Sequence, residues 1–257
     1  MKRVWHATGV PASHPPLLDA RHRDMVSHMG ETIEFSDHDG NPVKGYLATP
    51  SGGVGPGVIV IQEWWGVVDQ IETTCDRFAD AGFVALAPDL YDGVVVPLHE
   101  PDEAAKEMMA LEMDVAARDL SGAVDALLER STGETVGVIG FCMGGGLALV
   151  LGTLRPDAVA AVIPCYGVHP WEASKPDYTK TTAATQIHCA ALDGSFTPDD
   201  AEQLAGTLSA LGHEVELHVY PGCDHAFFNE DRPEVFDEAA AALLFERSAA
   251  FLRDHLT

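Results

Sequence analysis

Hydrophobic positions along this chain follow two periods that alternate with one another. Ile33 and Phe35 alternate with polar residues, Asp39-Gly40-Asn41-Pro42 reads as a turn, and Val43 to Ala48 returns, so the first predicted unit is a hairpin. Gly57 to Gln62 is a continuous β-branched run, the mark of a strand buried on both faces. Val68 to Ala81 has helical character and Gly82 stands where a C-cap glycine ends a helix. A strand over Phe83 to Ala87 and a proline-containing loop then lead to one long predicted helix, Glu103 to Arg130. Further strands are predicted over Thr135 to Phe141, Ala158 to Pro164, Thr185 to Leu192 and Val215 to Tyr220. Helices are predicted over Gly144 to Leu154, Pro198 to Leu211 and Pro233 to His255. This alternation predicts an α/β fold with a mostly parallel central sheet and helices on both faces. Residues 1–28 stand outside the pattern and are expected to form an extension or arm, with 29–257 a single domain.

Composition narrows the function without choosing it. The 257 residues suffice for a hydrophobic core without disulfides or metal. Against 40 Asp and Glu stand 15 Lys and Arg, a net charge of −25 that argues against nucleic acid or an anionic membrane as partner. Met1 to Gly9 lacks the apolar segment of a signal peptide, and no run approaches the ~18 apolar residues that span a bilayer. The cysteines, at 75, 142, 165, 189 and 223, form no CxxC pair. They fit reduced thiols in a cytoplasm better than a disulfide framework or a zinc site. His6, His14, His22 and His28 lack Cys or paired carboxylates at ligand spacing, so neither a metal nor a cofactor is expected. Monomer and homodimer are both left open.

In sheets of this kind ligands bind beyond the carboxyl ends of the strands. There the sequence sets Glu63-Trp64-Trp65-Gly66, Pro88-Asp89-Leu90-Tyr91, Cys142, Cys165-Tyr166, Asp193, and a loop with Asp224 and His225. The sharpest signal is Gly140-Phe141-Cys142-Met143-Gly144, a G-x-C-x-G between a β-branched strand and a Gly-rich helix start. It has the form of a nucleophile elbow with Cys in place of Ser. The turn needs small residues two before and two after the nucleophile, and it sets the thiol at a helix N-terminus, where the dipole favours a thiolate. The Met143 amide is left free to donate to an oxyanion. Cys142, Asp193 and His225 also follow the nucleophile, acid, histidine order of α/β-hydrolases. His225 is then the expected general base and acid, and Asp193 the group that orients it.

With these residues in place, Gln62-Glu63-Trp64-Trp65-Gly66, Pro88-Asp89-Leu90-Tyr91, Gly140 to Gly145 and Asp224-His225-Ala226-Phe227-Phe228 together resemble the dienelactone hydrolase family over about residues 30–256. The resemblance implies an α/β-hydrolase fold and a cofactor-independent esterase or lactonase with a Cys-His-Asp triad. It implies that Glu63 contacts the nucleophilic thiol and that the amides of Trp64 and Met143 form the oxyanion hole. Two departures bear on substrate. Where the family carries arginines for a substrate carboxylate, this chain has Gly93 and Asn229, with Arg232 nearby in sequence. Asn cannot replace a charge-assisted hydrogen bond. An uncharged or aromatic ester or lactone is therefore expected, in a pocket drawn from Trp65, Tyr91, Tyr166, Phe227, Phe228 and Asn229. Pro198 lies one residue further from Asp193 than in the family, and Asp199 and Asp200 read as a helix first turn. A thiol sensor that captures electrophiles without turnover, and a member with decayed activity, are the rival readings.

Overall fold

A computed structural model describes residues 30–167 and 169–256, and the predicted extension over 1–28 lies outside them. Among the described residues eight strands form one sheet: β1 (Glu31–Ser36), β2 (Pro42–Ala48), β3 (Pro56–Ile61), β4 (Val84–Pro88), β5 (Thr132–Phe141), β6 (Val159–Cys165), β7 (Ala184–Ala190) and β8 (Val215–Tyr220). Their spatial order is β1-β2-β4-β3-β5-β6-β7-β8. The hairpin is antiparallel with Ser36 opposite Pro42, and β2 runs antiparallel to β4; every other pairing is parallel.

Helices cover both faces. On one, Val58, Val60, Ala85, Phe141 and Ile163 are buried beneath α1 (Asp69–Asp80) and α6 (Glu238–His255). On the other, Ile59, Ile61, Leu86, Val138 and Val162 meet α3 (Met113–Leu128) and α4 (Met143–Leu154). That two-sided cover is why β3 and β4 read as unbroken apolar runs. Helix α5 (Pro198–Ala210) packs on β7 and β8 around Ile187, Cys189 and Ala201. Asp199 and Asp200 lie in its first turn, where Asp200 and Thr197 form a reciprocal capping box.

Two predicted helices need correction. The single helix over 103–130 is instead α2 (Pro101–Ala110) and α3, separated by Leu111 and Glu112 in extended conformation. No proline or glycine marks the break; the cores do. Ala104 of α2 is buried with Val96 and Trp65 on one face, whereas Leu120, Ala123 and Leu127 of α3 are buried on the other. One straight helix could not fill both. The final helix starts at Glu238 rather than Pro233, because the Asp237 side chain accepts from the Ala240 amide at 2.9 Å and caps it there.

Phe78 ties α1 to its neighbours. It has no exposed surface, meets Phe83 edge-on at 5.8 Å between centroids, and lies 4.9 Å from Phe245 of α6. Phe78→Ala is expected to lower unfolding free energy by about 3–5 kcal/mol, read from the urea midpoint at unchanged slope.

Candidate active site

Cys142 stands between β5 and α4 with φ 55° and ψ −119°. The flanking glycines make this turn possible. A Cβ on Gly140 would overlap the Gly144 carbonyl, and one on Gly144 would come within 2.5 Å of the Ile61 and Gln62 carbonyl oxygens. The turn is held by the Cys142 amide donating to Cys165 O at 3.1 Å and the Gly145 amide donating to Cys142 O at 3.0 Å. Among the described residues, the non-glycine positions with left-handed φ are Asp92, Cys142, Tyr166 and Ala226, all in loops at this edge of the sheet. Strain of that kind collects where surrounding structure over-determines a functional geometry.

His225 and Asp193 arrive from the loops after β8 and β7. The His225 Nδ1 lies 2.7 Å from Asp193 Oδ2, and Asp193 Oδ1 accepts from the Ser195 and Phe196 amides at 2.7 and 3.0 Å. Neither Asp199 nor Asp200 takes this place. Burial works against a charge on Asp193, but the His225 hydrogen bond and charge, with the two amides, outweigh it and hold the carboxyl below its ordinary range. Burial likewise pulls the His225 pKa down. Hydrogen bonds to Asp193 and to the Cys142 thiol, and the charges on both, outweigh it and push the imidazole up to about 10. The other thiols differ from Cys142 in access. Cys75, Cys165 and Cys189 have no exposed surface and Cys223 has 3 %, against 8 % for Cys142. Burial pushes the Cys223 thiol up to about 11 and Cys189 to about 12.

Glu63 follows β3 and is buried. Its Oε2 accepts from Asn229 Nδ2 at 2.9 Å and its Oε1 from the Tyr166 hydroxyl at 3.4 Å. Burial raises its pKa, against the lowering effect of the Asn229 hydrogen bond and of the His225 and Arg232 charges. Both Glu63 oxygens are thus occupied by partners other than Cys142. Asn229 has no exposed surface, so this position faces Glu63 rather than an open pocket, and Arg232 is paired with Glu234 at 2.9 Å. Among the described residues, the Trp64 and Met143 amides donate to no backbone acceptor.

The aromatic residues divide. Tyr91 donates to Met143 Sδ at 3.3 Å, and the Cys142 charge adds to burial in raising its pKa. Tyr166 meets the His225 ring edge-on at 5.2 Å. Trp65, Phe227 and Phe228 are packed in the core, with Phe228 stacked on Phe141 at 4.9 Å. Phe227 touches Tyr166, so its role here is to support the residues that reach the site. Sequence reasoning missed the buried Glu63, Asn229 and Tyr166 cluster as a unit. It also missed Gln62, whose Oε1 accepts from the Leu90 amide at 3.2 Å and ties the end of β3 to the loop after β4.

Comparison with known proteins gives the family. The model of the dienelactone hydrolase family matches residues 43–256. The chain belongs to the dienelactone hydrolase family. It is 37% identical over 237 residues to protein usf of Aquifex pyrophilus, with 89% of this chain and all of that protein covered. A relative from Aquifex aeolicus, named a carboxymethylenebutenolidase, is 35% identical over 236 residues, with 89% of this chain and 100% of that protein covered. Among solved structures, a dienelactone hydrolase from Klebsiella pneumoniae superposes with a TM-score of 0.76 at 26% identity, covering 88% of this chain and 99% of that one. A dienelactone hydrolase-like promiscuous phosphotriesterase from metagenomic libraries shares the fold, with a TM-score of 0.74 at 19% identity and 89% and 100% coverage.

The elevated His225 pKa is testable in this family member. Because the folded value lies above the unfolded ~6.5, the stability it contributes is fully present below that pH and is lost as pH rises through about 10. Asp193→Asn should move the His225 NMR titration down toward ~6.5, and the stability gap between the two proteins should close as pH rises through that window.

Proposed function

We propose that the chain hydrolyses small, weakly charged esters or lactones through an acyl-thioester on Cys142. One observation carries the reading: His225 lies between buried Asp193 and Cys142, with the thiol on a strained turn at a helix N-terminus. An imidazole pushed up to about 10 is cationic at neutral pH and stands ready to pair with the sulfur as it attacks. The thiolate attacks the carbonyl carbon, and the oxyanion forms against the Trp64 and Met143 amides. The tetrahedral intermediate then expels an alkoxide, which takes its proton from His225. The neutral imidazole next draws a proton from water as its oxygen attacks the thioester, releasing the acid and the thiol. Glu63, a buried carboxyl with a raised pKa, acts through Tyr166, which it accepts from and which meets the His225 ring edge-on.

The weakly charged substrate follows from the residues around the site. Gly93 and Asn229 supply no cation, and Arg232 is engaged by Glu234. The loops that carry the site expose Val94, Val95 and Leu192, an apolar border that suits a neutral acyl or aryl group. Steady-state hydrolysis of aryl acetates and unsaturated lactones, with and without a carboxylate, is the test. Cys142→Ala should lose on the order of 10³-fold or more in kcat, and neutral substrates should show the higher kcat/KM. Stoichiometric labelling of Cys142 with no turnover would instead favour an electrophile sensor.

A further inference from the structure

We propose that the Tyr91 hydroxyl is a third donor to the oxyanion, beside the Trp64 and Met143 amides. This role rests on the acyl-transfer reading of Cys142 given above. Strand order brings the residue there. β4, β3 and β5 are neighbours in the sheet, so the loop after β4 lies beside the loop with Glu63 and Trp64, and next to that stands the elbow. Asp193 and His225 come instead from β7 and β8. Tyr91 therefore reaches the nucleophile from the side opposite the imidazole, the side on which the Trp64 loop lies.

The loop holds this side chain still. The Asp89 carboxylate accepts from the Tyr91 amide at 3.0 Å and from the Gly93 amide at 2.6 Å. The Leu90 amide is held by Gln62 Oε1, and the Val94 amide donates to Tyr91 O at 3.1 Å. The ring is buried in the same core cluster as Leu90 and Met143. A donor fixed in this way loses little freedom when a substrate arrives.

The hydroxyl itself is poorly served. Among the described residues its partner is the Met143 thioether at 3.3 Å, and a thioether is a weak acceptor. A buried phenol with only that bond recovers little of its desolvation cost. It lies near enough to the nucleophile for the Cys142 charge to act on it, and that charge adds to burial in keeping the proton on oxygen.

As the Cys142 sulfur bonds to the carbonyl carbon, the π pair of the C=O bond moves onto oxygen. The Tyr91 hydroxyl exchanges Met143 Sδ for that oxygen and keeps its own proton. When the intermediate collapses the pair returns, the bond to the alkoxide breaks, and the alkoxide takes its proton from His225. The hydroxyl then turns back to the sulfur. The bond to the oxyanion is charge-assisted and the bond to the thioether is not, so the exchange stabilises the transition state more than the bound ester.

Tyr91→Phe keeps the ring and removes only the donor. On neutral aryl acetates kcat should fall on the order of 10²-fold, with KM within about threefold of wild type. On the matching thionoester, whose sulfur accepts hydrogen bonds weakly, the same substitution should cost less than about threefold. Alkylation of Cys142 by iodoacetamide forms a C–S bond without an oxyanion, and its rate should stay within about twofold of wild type. Equal kcat in the two proteins, an equal loss on ester and thionoester, or a matching fall in the alkylation rate would each overturn the role of Tyr91 and leave the Cys142 reading standing. A wild type that alkylates at Cys142 but turns over no ester would overturn both.

Discussion

The arrangement turns on a backbone contact rather than on any pair of side chains. The first turn of α4 lies against the end of β3 so closely that Gly144 leaves no room for a methyl group between itself and the Ile61 and Gln62 carbonyls. That contact fixes the distance between two loops: the one carrying Cys142 and Met143, and the one carrying Glu63 and Trp64. It forces Cys142 into a left-handed conformation, which costs of order 1–3 kcal/mol in a residue with a Cβ. The strands that hold both loops are buried on both faces, so neither loop can relax without disturbing the core.

Within that frame, two buried carboxyls are driven in opposite directions. Asp193 and Glu63 are both nearly without exposed surface. Asp193 has a cationic partner and two backbone donors, and stays ionised. Glu63 has an amide and a phenol for partners, and its burial prevails. The same functional group thus supplies a firmly held negative charge at one end of the site and a carboxyl whose charge burial disfavours at the other. An arginine at position 229 would pull the Glu63 pKa down more strongly than the asparagine amide does.

Much of this was legible in the sequence, and the exceptions share a cause. Strands β3 to β8, the elbow glycines and the order of Cys142, Asp193 and His225 are local patterns or consequences of topology, and both survive in a linear reading. The break at Leu111 and Glu112 is not local: it exists because Ala104 and Leu120 belong to opposite faces of the sheet. The burial of Phe227 and Phe228 escaped for the same reason, since an aromatic pair beside a candidate histidine reads alike whether it faces a pocket or Phe141. Asn229 was noted for the charge it lacks. Its partner across the fold, Glu63, lies 166 residues away in sequence, beyond any periodicity.

The uneven access of the five thiols has a practical side. A small alkylating reagent meets one sulfur that keeps 8 % exposure at the elbow and four that are sealed more completely into strands, a helix and a packed loop. Reagent uptake by the folded chain therefore counts correctly formed elbows, and uptake after unfolding counts all cysteines. The ratio of the two measures the fraction of a preparation in which the turn is intact, without a substrate and without removing any other cysteine.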